Sequence, residues 1–195
     1  MREIRDGLAH RGTVALETPR LILRRADMGD CRAVHDNLTT DPDIVEYVGW
    51  DDCRHFEDTQ RRIGELVRSY DDPSVYNWLI AEKDSGEVVG SIYVSVLIEK
   101  RRTAEIDYGV AKHYRGKAYA PEALAAVIDF LFFDAGFYRI EAQCNTDNPA
   151  SARVMVKAGM RFEGTMRGRA MRMNEAGLPA DILLYGVVAA DMLNK

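Results

Sequence analysis

Three features of the chain predict a mixed α/β fold, a mostly antiparallel central sheet with helices on both sides. Tyr76–Glu82, Val88–Val96 and Thr103–Val110 alternate apolar and polar residues at the period of half-buried strands, and Lys83-Asp84-Ser85-Gly86 joins the first two as a hairpin turn. Pro121–Ala135 then carries apolar residues at helical spacing, and Arg139–Asn145 returns to strand alternation. A strand, a crossover helix and a second strand make Thr103–Val110 and Arg139–Asn145 parallel if they are sheet neighbours, so the meander gains one parallel pair.

Ahead of the meander, Leu21–Arg25 reads as a strand and Asp30–Leu38 as a helix capped by Asp30. Phe56, Ile63, Leu66 and Val67 give Phe56–Ser69 a helical pattern. In Thr103–Val110, Ala104, Ile106, Tyr108 and Val110 alternate with Glu105, Asp107 and Gly109. In the next helix Leu124, Val127, Ile128, Leu131, Phe132 and Ala135 form one stripe. Pro121 suits its first position, where a missing N–H costs nothing, Glu122 complements the positive end of the dipole, and Gly136 is a natural left-handed cap. Ser151–Ala158 reads as a short helix stopped by Gly159. Ala180–Val188 is a last apolar strand, paired through the Gly177 turn with a strand around Phe162–Met173. The chain has no internal repeat, low-complexity tract or Pro/Ser-rich linker, so residues 1–17 read as an N-terminal extension and 18–195 as a single domain.

At 195 residues and 47% hydrophobic content the chain can bury a full core. No apolar run is long enough to span a bilayer, and the polar N-terminus lacks the apolar centre of a signal peptide. Cys31, Cys53 and Cys144 are odd in number and lack metal-ligand spacing, which reads as reduced thiols in a cytoplasmic protein that holds no metal. A net charge of −5 argues against direct nucleic-acid binding and suits, weakly, a cationic substrate.

Against that acidic background, Lys112, His113, Arg115 and Lys117 cluster between the strand and the Pro121 helix, interleaved with Gly116, Ala118 and Ala120. Small residues let backbone N–H groups approach a ligand, and a helix N-terminus adds free donors and positive potential. The pattern reads as a pyrophosphate cradle; a solvated basic turn is its plainer alternative.

Arg115-Gly116-Lys117-Ala118-Tyr119-Ala120 resembles the acyl-CoA signature of the GNAT superfamily of N-acetyltransferases, Arg/Gln-x-x-Gly-x-Gly/Ala. Further segments resemble its RimJ/RimL-type branch, the ribosomal-protein N-terminal acetyltransferases. They are Thr18-Pro19-Arg20-Leu21-Ile22-Leu23-Arg24, Gly90-Ser91-Ile92, Asn148-Pro149-Ala150-Ser151 with Lys157-Ala158-Gly159-Met160, and Glu163-Gly164-Thr165-Met166-Arg167. The likeness runs from about Thr18 to Met192. It implies a GNAT-like acyl-CoA acyltransferase fold in which the parallel strands splay apart to admit the pantetheine arm of acetyl-CoA.

The resemblance also implies site residues. Acetyl-CoA, as co-substrate, would be held by Arg115, Gly116, Lys117, Ala118, Tyr119 and Ala120, by backbone groups of Val110 and Ala111, and by Asn145 and Asn148. Ala118 stands where the signature prefers glycine, and helical dihedrals are expected there, so that alanine fits without strain. Many superfamily members carry a tyrosine acid four residues before a Gly-Phe pair; that position is Met155, and a thioether donates no proton.

For the chemistry, Glu105 is the candidate base, with Asp107 on the same strand face as its competitor and an exposed carboxylate on a wet face as the plainer reading. Ser151 is the candidate acid at the thiol sulfur. Asn148 also fits a helix N-cap. Trp50, Phe56, Tyr76 and Trp78 would line an acceptor pocket or fill the core. Arg167, Arg169 and Arg172, spaced along a late strand, would meet an acidic acceptor or face solvent.

The resulting expectation is an acetyl-CoA-dependent N-acetyltransferase acting on a protein or peptide N-terminal α-amine, with no membrane partner and room for a homodimer. Two alternatives are a small-molecule amine acetyltransferase for a polyamine, amino sugar or antibiotic-like amine, and a catalytically silent acyl-CoA-binding module.

Overall fold

The structure, a computed structural model, describes residues 3–42, 44, 45, 53, 55–170 and 177–192. Its eight strands form one sheet in the order β1-β2-β3-β4-β5-β6-β8-β7. β1 (Leu16–Glu17), β2 (Leu21–Arg24), β3 (Tyr76–Glu82), β4 (Val88–Ile98) and β5 (Thr103–Val110) run antiparallel in sequence order. β5 and β6 (Arg139–Asn145) are parallel, and β8 (Ile182–Val188) lies between β6 and β7 (Arg161–Met166), antiparallel to both.

Helices cover both faces. On one side α1 (Cys31–Val34) and α2 (Phe56–Ser69) pack over Val34, Leu38, Ile63, Leu79 and Val88. On the other, α3 (Tyr119–Phe130) and α4 (Pro149–Lys157) cover a larger core that includes Trp78, Ile92, Ile106, Leu124, Val127 and Met155. α5 (Ala189–Met192) follows β8 directly. Among the described residues no helix is long and apolar enough to cross a membrane.

The first helical region begins earlier than Asp30. Asp27 is the cap: its side chain accepts from Gly29 N, while Asp30 Oδ2 accepts from Asp27 N at 2.8 Å. Arg24 clamps Asp30 through two hydrogen bonds, so Asp30 closes a capping box instead of starting the helix. A 3-10 turn, Met28–Asp30, leads into α1, and a π turn, His35–Thr39, ends the region.

α3 begins at Tyr119, which makes Pro121 its third residue and not its first. The proline is still tolerated, because N–H groups throughout the first turn lack intrahelical partners. The predicted continuation to Ala135 is a π turn, Leu131–Ala135, closed by Gly136 at φ +81°. A side chain on Gly136 would collide with the Gly7 carbonyl, so the N-terminal segment seats against this cap. That segment is tied further by Trp78 Nε1, which donates to Val14 O at 2.6 Å, and by Ala9 N, which donates to Ala135 O at 2.8 Å. β7 ends at Met166, short of the predicted strand, and Met171, Arg172 and Met173 lie outside the described residues.

Candidate active site

The sheet opens between its two parallel strands. β5 and β6 pair only through Thr103↔Arg139, Ala104↔Ile140 and Glu105↔Glu141. Beyond Glu105, β5 stays with β4 as far as Val110, and β6 stays with β8 as far as Asn145. The backbone edges of Ile106–Val110 and Ala142–Asn145 therefore face each other without a shared ladder. Such a cleft exposes extended backbone on which an amide-bearing chain can lie.

The loop that follows β5 closes one end of this cleft. Lys112–Tyr114 forms a 3-10 turn, Gly116 has φ +83°, and Ala118, the N-cap of α3, has φ +61°. The expected helical dihedrals at Ala118 are thus wrong. The chain must reverse between Gly116 and the helix, and it does so with two left-handed residues, one of them bearing a methyl group at a cost of roughly 1–2 kcal/mol.

Other side chains hold the strained loop. Asp41 Oδ2, almost fully buried, accepts from Lys112 N at 3.0 Å and from the Arg115 guanidinium at 2.6 Å. Arg115 Nε donates to Val110 O at 3.0 Å. Arg20 donates to Lys117 O at 2.8 Å and pairs with Glu122. The Tyr119 hydroxyl donates to Glu82 and the Tyr114 hydroxyl to Glu87.

Arg115 is thus a strut beneath the loop, and Ala111 N is engaged with Val89 O at 2.8 Å. Lys112, His113 and Lys117 are exposed at the loop, and a side chain built on Gly116 would meet nothing within 4 Å. Open space at Gly116, three basic groups and the start of a twelve-residue helix suit a pyrophosphate.

Two groups of reactive side chains flank the cleft. Alternation along β5 sends Glu105 and Asp107 to the α1–α2 face, and Ile106 and Tyr108 to the α3–α4 face. Glu105 is half-buried and accepts a hydrogen bond from the Gln143 amide on β6. Burial, and then the neighbouring Asp107 charge, raise its pKa above the usual carboxylate value; Arg169 opposes the shift. Asp107, also half-buried, is raised by burial. The plainer reading of Glu105 as an exposed surface carboxylate does not hold.

On the other face, Ser151 is the third residue of α4, and its N–H donates to Asn148 Oδ1 at 3.1 Å, so Asn148 is the helix cap. Ser151 Oγ lies 2.8 Å from the Tyr108 hydroxyl, which also donates to Ser151 O at 3.0 Å. Burial raises the pKa of the Cys144 thiol on β6. Asn145 ends β6, and its carbonyl accepts from Asn148 N at 2.9 Å, so Asn145, Asn148 and Ser151 form one corner at the open end of the cleft.

Sequence reasoning missed the contacts of Tyr108, Gln143 and Asp41. Each partner is distant in the chain: 43 positions separate Tyr108 from Ser151, and 74 separate Asp41 from Arg115. No local pattern signals such pairs. Tyr76 and Trp78 are fully buried, stacked on each other in the α3-side core and met edge-on by Phe130, so they line no acceptor pocket. Phe56 packs edge-on to His35 beneath Arg32. Trp50 lies outside the described residues. Arg167 and Arg169 follow β7 and do not belong to it.

Among the described residues no cluster of His, Cys, Asp and Glu could hold a metal ion.

A family model described as an acetyltransferase (GNAT) domain matches residues 20–161. YoaA of Bacillus subtilis, an uncharacterized N-acetyltransferase, is 31% identical over 173 residues, which cover 89% of this chain and 96% of YoaA. A ribosomal-protein-serine acetyltransferase of Escherichia coli is 27% identical over 120 residues, 62% of this chain and 65% of that protein. The crystal structure of a GNAT-family acetyltransferase from Bacillus anthracis superposes with a TM-score of 0.76 at 26% identity, covering 91% of this chain and 99% of that one.

Proposed function

Because this chain belongs to the GNAT family of acetyltransferases, we propose that the acceptor of its acetyl group is the α-amine of a protein or peptide N-terminus. The chain is an acetyl-CoA-dependent N-acetyltransferase. Bound acetyl-CoA supplies an activated thioester; the protein must hold it, take a proton from the amine and stabilise charge at the sulfur.

Gly116, Lys117, Ala118, Tyr119 and Ala120 hold the pyrophosphate through backbone N–H groups and the Lys117 charge, and Arg115 keeps the loop in place. Val110, Ala111, Asn145 and Asn148 border the cleft for the pantetheine arm. Glu105 takes the proton from the amine, directly or through water, and Ser151 donates to the sulfur from the opposite face. Asp107 adds negative potential that draws a cationic amine toward the site.

One observation carries this reading: a half-buried carboxylate, Glu105, stands on the last paired rung before the sheet opens, with its pKa raised toward the working range of a general base. An α-amine, with a pKa of about 7.7–8.0, is already partly neutral at physiological pH, whereas a lysine amine near 10.4 is not. One weak carboxylate base suffices for the first and falls short for the second. The similarity to a ribosomal-protein-serine acetyltransferase and the motifs shared with the RimJ/RimL-type branch point the same way.

The test is free-thiol release from acetyl-CoA across a panel of peptides with free and with blocked N-termini, alongside spermidine and an amino sugar. Release that follows the free N-terminus is expected. Turnover confined to the small amines would overturn the acceptor assignment.

A further inference from the structure

We propose that Tyr108 is a positioning residue for acetyl transfer, its phenol orienting the Ser151 hydroxyl so that the serine proton faces the sulfur of the departing thiol. The inference rests on Ser151 as the sulfur-side donor. Tyr108 lies on β5 three residues past Glu105, the last residue paired with β6, and its hydroxyl is 2.8 Å from Ser151 Oγ and 3.0 Å from Ser151 O. Each of the two hydroxyls owns one proton.

A serine that donates toward sulfur has no proton left for the phenol, so as it does so the single phenol proton, which lies on Ser151 O at 3.0 Å in the structure, must turn to Ser151 Oγ. The chain of donation then runs from Tyr108 to Ser151 to sulfur. Burial raises the Tyr108 pKa above the ordinary phenol value, so the phenol keeps its proton throughout the neutral range. Met155, at the position where many GNAT members carry tyrosine, is fully buried and has no proton to give. The phenol of this site enters from β5 instead.

The amine nitrogen bonds the carbonyl carbon of the thioester, and the C–S bond breaks with its electron pair on sulfur. Ser151 donates a hydrogen bond to that sulfur while Tyr108 donates to Ser151. Over one turnover the amine loses a proton, through Glu105 and solvent, and the thiol gains one, so both hydroxyls end as they began.

The test is a double-mutant cycle with Tyr108→Phe, Ser151→Ala and the pair, assayed at saturating acetyl-CoA with the best acceptor of the panel. Tyr108→Phe keeps the ring and is expected to lower kcat about tenfold, to leave the KM for acetyl-CoA within about twofold, and to retain the thermal shift on adding acetyl-CoA. In the Ser151→Ala background the same change should have no further effect. An equal loss in both backgrounds would show that Tyr108 acts independently of Ser151 and would overturn the inference, as would a wild-type kcat in Tyr108→Phe. A wild-type kcat in Ser151→Ala would instead remove the Ser151 donor itself, and this inference with it.

Discussion

Replacing Ala118 by glycine should stabilise the protein. Ala118 caps α3 at φ +61° and ψ +24°, inside the left-handed region, where an L-residue with a Cβ is disfavoured by roughly 1–2 kcal/mol. Glycine removes that penalty. It also frees the unfolded chain, which returns about 0.5–1 kcal/mol. The Ala118 methyl is exposed, so its loss sacrifices little packing, and the hydrogen bond from Glu122 N to residue 118 O is a backbone contact that survives. The net gain is about 0.5–1 kcal/mol, or a Tm about 1–4 °C higher for a domain of this size. Differential scanning calorimetry of the two proteins without ligand measures it. A Tm that is unchanged or lower in Ala118→Gly would show that the loop carries no left-handed strain at this position.

Gly116→Val places a β-branched residue at φ +83°, where nothing crowds the side chain but the backbone is strained and the cradle is filled. It should abolish the thermal shift caused by acetyl-CoA, which for the parent is worth about 2.7 kcal/mol at a hundredfold excess over Kd. Glu105→Gln should lower kcat by roughly 10²–10⁴-fold with little change in the KM for acetyl-CoA. In the parent, kcat/KM should fall with an acid limb above the ordinary glutamate pKa, because burial raises this carboxylate; a profile flat through that region refutes the assignment. Asp107→Asn tests the sign of linkage. A carboxyl raised in the folded state opposes folding once ionised, so the variant should be more stable at pH 7, with the gain fading as the pH falls through the raised pKa and gone below about pH 4. Thermal melts across that range measure the difference.

Most of the fold was legible because local rules govern it. Strand period fixed Tyr76–Glu82, Thr103–Val110 and Arg139–Asn145 to the residue, and the apolar stripe fixed Phe56–Ser69. The turn at Lys83-Asp84-Ser85-Gly86 and the left-handed Gly136 followed from residue type alone. The boundaries that slipped are those where a side chain from elsewhere intervenes. Arg24 moves Asp30 from cap to box, and the loop held by Asp41 and Arg20 starts α3 two residues before Pro121.

The chemistry of this chain divides along the same line. By itself the sequence determined a strand, a basic small-residue loop and a helix start in succession. Those are properties of neighbouring residues, and they are enough to predict an anion cradle and to order Glu105 and Asp107 onto one strand face. Only the tertiary structure decided how far β5 and β6 stay together, that Glu105 stands on their last rung, and that Tyr108 and Ser151 meet across the opening. The environment of Glu105 was decided there too: its raised pKa comes from burial and Asp107, opposed by Gln143 and Arg169. The physical reason is distance along the chain. Hydrogen bonds and desolvation act over a few ångströms, whereas these partners lie tens of residues apart, and only the packed sheet brings them within reach.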